Sequence, residues 1–393
     1  MFLIATLSFV SEGLAQKSKT QIEKEKKESL AKISEVQKIL KETETEKKAT
    51  IGQLQALNKQ IEVRRSLISS ITQEIDLLSG EINDLSMVVD ALQSDLGHLK
   101  EEYGQMVYDA YKANQGYSKL TFLFSAQTFN QLFLRLKYLE QYTKAREVQV
   151  EQIEKVKNAM NQQVNSLVLK KEEQDILLKS KIKENQNLLS LKTKQNKVVQ
   201  ELSKREKELK AEVDETKKAV TRLDNLLAKI IKAEIEKSNA GKASNSINLS
   251  ADMAKISTAF ESKKSRLAWP VQSGFVSEKF GKHPHPVLKN IWVENQGVDI
   301  QTQKNAQVKA VFEGKVATTA FVPGMNRVVI VQHGDYYTLY AKLKSVNVKK
   351  GQVIQANENI GEVFTNADGI SEIQFQVWKN NVKMDPEKWL VNK

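Results

Sequence analysis

The chain has no cysteine. Disulfides and thiolate-bound metals are therefore excluded. Proline is missing up to residue 269 and tryptophan up to residue 268. All five prolines (Pro270, Pro284, Pro286, Pro323, Pro386) and all four tryptophans (Trp269, Trp292, Trp378, Trp389) lie beyond that point. A long stretch without proline has no enforced helix break, so two kinds of structure are joined near Trp269. No run of about 20 apolar residues occurs, as a membrane-spanning helix would need. No G-x-x-x-x-G-K-[ST] motif occurs either, so nothing here is predicted to bind nucleotide. Acidic residues are outnumbered, giving a net charge of +12. The excess is spread out: residues 266–393 hold 16 Lys/Arg against 11 Asp/Glu, leaving 44 against 37 for the rest. That argues against a nucleic-acid site and for a Lys-biased solvated surface, one suited to an anionic membrane or cell-wall polymer.

The N-terminal run "FLIATLSFV" precedes "SEGLAQ", with Gly13 and Ala15 before Gln16. This reads as the apolar core and cleavage site of a secretory signal peptide over residues 1–15, lacking the usual positive leader. A soluble exported protein is expected after cleavage.

Residues 18–237 read as a coiled coil. Leu54, Ile61, Ile68, Ile75, Ile82, Val89 and Leu96 recur every seven residues. Leu57, Arg64, Ile71, Leu78, Leu85, Leu92 and Leu99 follow each by three. Ile or Val at one position and Leu at the other favours two-stranded packing. A second arm, 143–237, repeats the pattern at Val199/Leu202, Val213, Val220/Leu223 and Leu227/Ile230. Two arms of similar length predict an antiparallel hairpin, with parallel homodimerisation the alternative. Between the arms, residues 103–142 hold ten of the 26 aromatics. They predict a small folded cap with its own core, or else a partner-binding surface. Residues 238–265 form a linker: "SNAGKASNSINLS" is small and polar. A short helix then places Met253, Ile256 and Phe260 on one face.

From residue 266 to 393 the pattern turns to short β-rich runs with turn signals. The predicted fold class is therefore α + β and multi-domain, a long antiparallel helical hairpin followed by a mostly antiparallel β domain. Within that domain "WPVQSGFVSEKFGKHPHP", "NQGVDIQTQKNAQVKAVFEGKV", "VVIVQHGDYYTLYAKL" and "EIQFQVWKNNVKMDPEKWL" resemble, in order and spacing, the LytM-type domain of the M23 zinc endopeptidases of bacterial cell walls.

In active members of that family, zinc is held by the His and Asp of an H-x-x-x-D block and the second His of an H-x-H block. Two further His assist the attacking water. Carried onto this chain, the resemblance puts Asn295 at the first ligand and Asp299 at the second. Glu372 and Gln374 fall at the H-x-H positions and Lys342 at the other assisting His. Only Asp299 is a fitting ligand, and a catalytic zinc needs three plus an open position. No catalytic residue, metal or cofactor is therefore expected, and Asp299 is left to hold the turn or to pair with Lys342. His98, His283, His285 and His333 are not expected to rebuild a site.

The whole layout resembles the EnvC-type murein hydrolase activators. That resemblance implies a non-catalytic, periplasmic protein of a Gram-negative bacterium. It would activate a peptidoglycan N-acetylmuramoyl-L-alanine amidase in cell division and daughter-cell separation. Its coiled coil would dock on an FtsE–FtsX-type transporter-like membrane complex, and it would contact peptidoglycan but not nucleic acid. The vacated cleft becomes a docking groove, with Asn295, Arg327, Tyr340, Lys342, Glu372 and Gln374 as partner-contacting candidates. Met253, Ile256 and Phe260 become the face of a regulatory helix plugging it. Two rivals are an active M23 endopeptidase and a structural periplasmic adaptor.

Overall fold

The computed structural model describes residues 17–43, 49–113, 119–238 and 251–392. The predicted signal segment and the polar part of the linker (239–250) lie outside them. Six helices come first: α1 (Lys19–Thr43), α2 (Ile51–Ala113), α3 (Lys119–Phe124), α4 (Phe129–Lys204), α5 (Glu206–Ser238) and α6 (Ala251–Ser262). Twelve strands follow: β1 (Phe275–Glu278), β2 (Gly281–Pro284), β3 (Trp292–Asn295), β4 (Val298–Thr302), β5 (Gln307–Lys309) and β6 (Gly314–Val322), then β7 (Asn326–His333), β8 (Tyr336–Val346), β9 (Val353–Ile354), β10 (Asn359–Val363), β11 (Ser371–Lys379) and β12 (Val382–Met384). The chain divides into two compact units. One comprises residues 68–184 with the start of α1, and the other residues 26–67 with everything from 185 onward.

In the first unit α2 and α4 run antiparallel. Lys170 meets Glu81, Gln174 donates to Ser79 Oγ at 2.7 Å, and Tyr142 donates to the Met106 carbonyl at 3.0 Å. The predicted heptad supplies the packed side: Ile71, Ile75, Leu78 and Leu96 are buried. The aromatic segment differs from the expected cap. Tyr103 and Tyr142 face inward and contact Arg146, but Tyr108, Tyr111, Phe122, Phe124, Phe129, Phe133 and Tyr138 are exposed. Helical spacing on two thin arms gives these rings no common interior to enter.

In the second unit the start of α2 and the end of α4 pair through Leu54, Leu57 and Ile61 against Leu191, Val198 and Leu202. The predicted second arm then ends early. The helix breaks at Arg205, whose guanidinium donates to the Ala49 carbonyl at 3.1 Å and to Glu208 at 2.7 Å. Beyond the break, α5 packs on the β domain and not on the other arm. Ala219, Leu223, Leu227 and Ile231 are buried against Val322, Met325, Val328, Ile330, Tyr337, Leu339 and Trp378.

The β domain is a ten-stranded antiparallel sheet with the path β1-β4-β11-β8-β7-β6-β9; β2 and β3 form a separate hairpin. Alternate residues of a strand point to opposite faces. Val328 and Ile330 of β7 therefore meet α5, while Val329 and Val331 join the main core with Tyr336, Tyr340 and Phe375. With both faces covered, "VVIV" reads as an uninterrupted apolar run. The approach of α5 is close: at Gly324, with φ +87°, an added Cβ would lie 2.6 Å from the Ala219 Cβ.

The expected plug helix is placed elsewhere. Phe260 of α6 is fully buried in the main core, 4.8 Å from His333, 5.0 Å from Tyr336 and 5.0 Å from Trp389 by ring centroid. Ile256 packs against the same cluster, and the Met253 carbonyl approaches Gly334. The stripe read as a groove-covering face is a core-completing face: an aromatic at its end fits an aromatic pocket better than a polar cleft.

Candidate functional site

Strand register builds the floor of a cleft. Glu278 of β1 lies opposite Asp299 of β4, Asp299 opposite Gln374 of β11, and Gln374 opposite Ala341 of β8. Lys342 follows Ala341 with a left-handed backbone, φ +64°, which is strained for a lysine. Two backbone bonds hold it there. Its N–H donates to the Met325 carbonyl at 2.8 Å, and its carbonyl accepts from the Phe364 N–H at 2.9 Å. The ammonium lies between two acids, 3.3 Å from Asp299 Oδ2 and in direct contact with Glu372 Oε1. Ser277 Oγ donates to the other Glu372 oxygen at 2.8 Å.

Burial alone would pull the Lys342 ammonium down, but Asp299 and Glu372 outweigh it and hold the group well above its ordinary value. Burial pushes the Asp299 carboxyl well up, with Lys342 pulling against it. A hydrogen-bonded amide series completes the floor. Trp378 Nε1 donates to Gln376 at 2.9 Å, Gln376 to Gln374 at 3.4 Å, and Gln374 to Asn295 Oδ1 at 3.2 Å. Asn295 Oδ1 also accepts from the Gly297 N–H at 3.1 Å.

The cleft has a volume of about 290 Å³ and is roofed by helices. Ile51 and Asn58 of α2 and Leu209, Glu212, Val213 and Val220 of α5 line it opposite Asn295, Asp299, Lys342 and Gln374. Burial raises the Glu212 carboxyl above its ordinary value. Of the predicted groove residues, Glu372 reaches the cleft through Lys342. Two are elsewhere. Tyr340 is fully buried on the opposite face of the sheet, where its hydroxyl accepts from the Val311 N–H at 3.0 Å. Arg327 is exposed on β7, outside the cleft lining. Backbone geometry explains Tyr340: it and Lys342 would share a face in a regular strand, and the positive φ at Lys342 breaks that rule.

Sequence reasoning missed Ser277, Glu278 and Met325, which line the cleft. Glu278 had a signal: it sits one turn of chain before "HPHP". His283 Nε2 lies 3.0 Å from Glu278 Oε1. His285 Nδ1 accepts from the Val287 and Leu288 N–H groups at 3.2 and 3.0 Å, and burial lowers its proton affinity. His333 is enclosed on the other face between the Glu313 carbonyl and Thr338.

The three positions that the resemblance assigns to zinc, Asn295, Asp299 and Gln374, do converge, but their side chains do not fit the ion. The amide oxygens of Asn295 and Gln374 are already accepting hydrogen bonds, and the Lys342 ammonium beside Asp299 opposes a second cation. Among the described residues, no three His, Asp or Glu side chains are placed to hold a metal ion.

The domain's class is given by comparison with known proteins. Residues 293–386 match Peptidase family M23, so the C-terminal domain is an M23 domain of the LytM type. The chain is 31% identical over 115 residues to the cell division protein DipM of Caulobacter vibrioides, covering 29% of this chain and 18% of that one. It is 27% identical over 124 residues to the murein hydrolase activator EnvC of Escherichia coli, covering 31% and 28%. It is also 32% identical over 94 residues to the peptidoglycan DD-endopeptidase ShyA of Vibrio cholerae, covering 24% and 21%. With long helices ahead of its M23 domain, the chain is an EnvC-like LytM-domain protein. These matches span between 18% and 28% of the relatives' own lengths.

Proposed function

We propose that the protein acts on peptidoglycan during cell division as a non-catalytic activator of an N-acetylmuramoyl-L-alanine amidase. The supporting observation is Lys342: its ammonium stands between Asp299 and Glu372, where an active relative would need imidazoles and a divalent cation. Such a cleft binds and does not hydrolyse. The roof argues for a regulated state. α5, and not the predicted α6, covers the cleft and buries three large aliphatic side chains (Leu223, Leu227, Ile231) on the sheet beside it. At about 2 kcal/mol per side chain this is a firm closure, yet one that an incoming partner helix can replace. α5 is continuous in sequence with α4, so a pull on the helical hairpin would be transmitted to the cleft. We assign that pull to an FtsE–FtsX-type membrane complex and place the protein in the periplasm. No described helix is long and apolar enough to cross a membrane.

The test mixes the purified full chain with candidate amidases and labelled peptidoglycan, with metal analysis of the protein alone. Release of label only when the amidase is present, from a zinc-free protein, is the expected outcome. Release by the protein alone with stoichiometric zinc would make it an endopeptidase instead.

A further inference from the structure

The exposed rings of the first unit are confined to one end of the hairpin. Phe124 is 77% exposed, Phe129 83% and Tyr138 68%, and Tyr111 and Phe133 are also exposed. Arg135 keeps α3 folded back on α4: its guanidinium donates to the Phe122 carbonyl and to Ser125 Oγ at 2.7 Å and lies 4.8 Å from the Phe122 ring centre. The rings are thus presented on a fixed platform. Phe129, Phe133 and Leu136 fall at i, i+4 and i+7, so they share one face of the first turns of α4.

Charge changes abruptly at the same boundary. From residue 110 to 139 there is no Asp or Glu, while Lys112, Lys119, Arg135 and Lys137 are present. Immediately behind, the charges are mixed: α2 carries Glu101, Glu102 and Asp109 beside Lys100, and α4 carries Glu140 and Glu147 beside Lys144 and Arg146. Aromatic rings interleaved with cations, and no acid among them, is the composition that binds the interface of an anionic bilayer. The rings enter the headgroup boundary and the cations meet lipid phosphates. A protein groove would not by itself require thirty residues free of acid.

We propose that this end of the hairpin is a membrane-surface contact for anionic phospholipid, a site that holds whether or not the cleft receives an amidase. The experiment is co-sedimentation of the full chain with vesicles of phosphatidylglycerol and phosphatidylethanolamine, and with vesicles of phosphatidylcholine alone. The chain should pellet with the anionic vesicles and not with phosphatidylcholine, and raising the salt from 0.1 M to about 0.5 M should release most of it. Phe124→Ser with Phe129→Ser should weaken binding at least tenfold, and Lys112→Glu with Lys137→Glu should do the same. Both pairs are exposed, so helical content by circular dichroism should stay unchanged. Failure to pellet with anionic vesicles overturns the proposal, as does pelleting that both double variants leave intact. If Phe124→Ser with Phe129→Ser instead abolishes self-association measured by analytical ultracentrifugation and leaves lipid binding unchanged, the patch is an interface between copies and not a lipid contact.

Discussion

Lys342 Nζ stands 3.3 Å from Asp299 Oδ2, with Asp299 almost fully enclosed. The cleft floor therefore carries its own cation. Asp299 keeps the position it would have as a metal ligand, but its charge partner is covalently part of the chain. This also accounts for the strained backbone at Lys342, because φ +64° is what turns the side chain of β8 toward the acids.

Removing the charge at Lys342 should destabilise the β domain. Lys342→Met leaves Asp299 and Glu372 facing each other without a cation, and breaking a buried pair from one side costs about 3 kcal/mol. Urea denaturation followed by tryptophan fluorescence reads this directly. Glu372→Gln, which leaves one acid for the lysine, should cost clearly less.

Phe260 is predicted to be a stability residue, not a gate. Its ring is enclosed by Phe312, His333, Tyr336 and Trp389, so Phe260→Ala should cost about 3–5 kcal/mol in the same denaturation experiment. At a temperature where the variant remains folded, amidase activation should not rise. A rise would return the gating role to α6.

The two misread helices show where sequence stops being informative. The hairpin was legible because the seven-residue repeat of α2 is sustained over about seven heptads. The stripes of α5 and α6 were legible as stripes, but a stripe does not name what it covers. Leu223 and Leu227 keep coiled-coil spacing while packing on a sheet, and Phe260 keeps amphipathic spacing while entering a core. In the site, Asn295, Asp299 and Gln374 were readable from their motif blocks because strand register brings those blocks together. Tyr340 was not, since only the left-handed residue at 342 decides which neighbour faces the cleft. The break at Arg205 had no proline or glycine to mark it.

Acid should weaken the domain through His333. Burial lowers its pKa from 6.5 to about 4 in the folded protein. Between those values the unfolded chain binds the proton and the folded chain does not, so this contribution is full above about pH 6.5 and is lost as pH falls toward 4. The loss is on the order of 3 kcal/mol at the low end. Urea midpoints between pH 4 and 8 should show this slope, and the difference between the wild type and His333→Gln isolates it from the carboxylates.

Releasing α5 should open the cleft, and the tightest contact shows how to do it. Ala219 touches Gly324, with no room for a larger side chain at either position. Ala219→Phe would wedge α5 away while leaving every side chain of the β domain in place. Asp224→Lys would add repulsion, because Asp224 pairs with Lys383 at 2.8 Å beside Trp378. Trp378 is buried beneath α5, so its release should shift tryptophan emission to the red and increase quenching by iodide. If α5 is the closure, the double variant should activate the amidase at concentrations where the wild type is silent, by roughly the 10- to 100-fold that 1.4–2.8 kcal/mol of lost closure gives. An emission shift without a gain in activation would mean that α5 covers the sheet but does not guard the partner's groove.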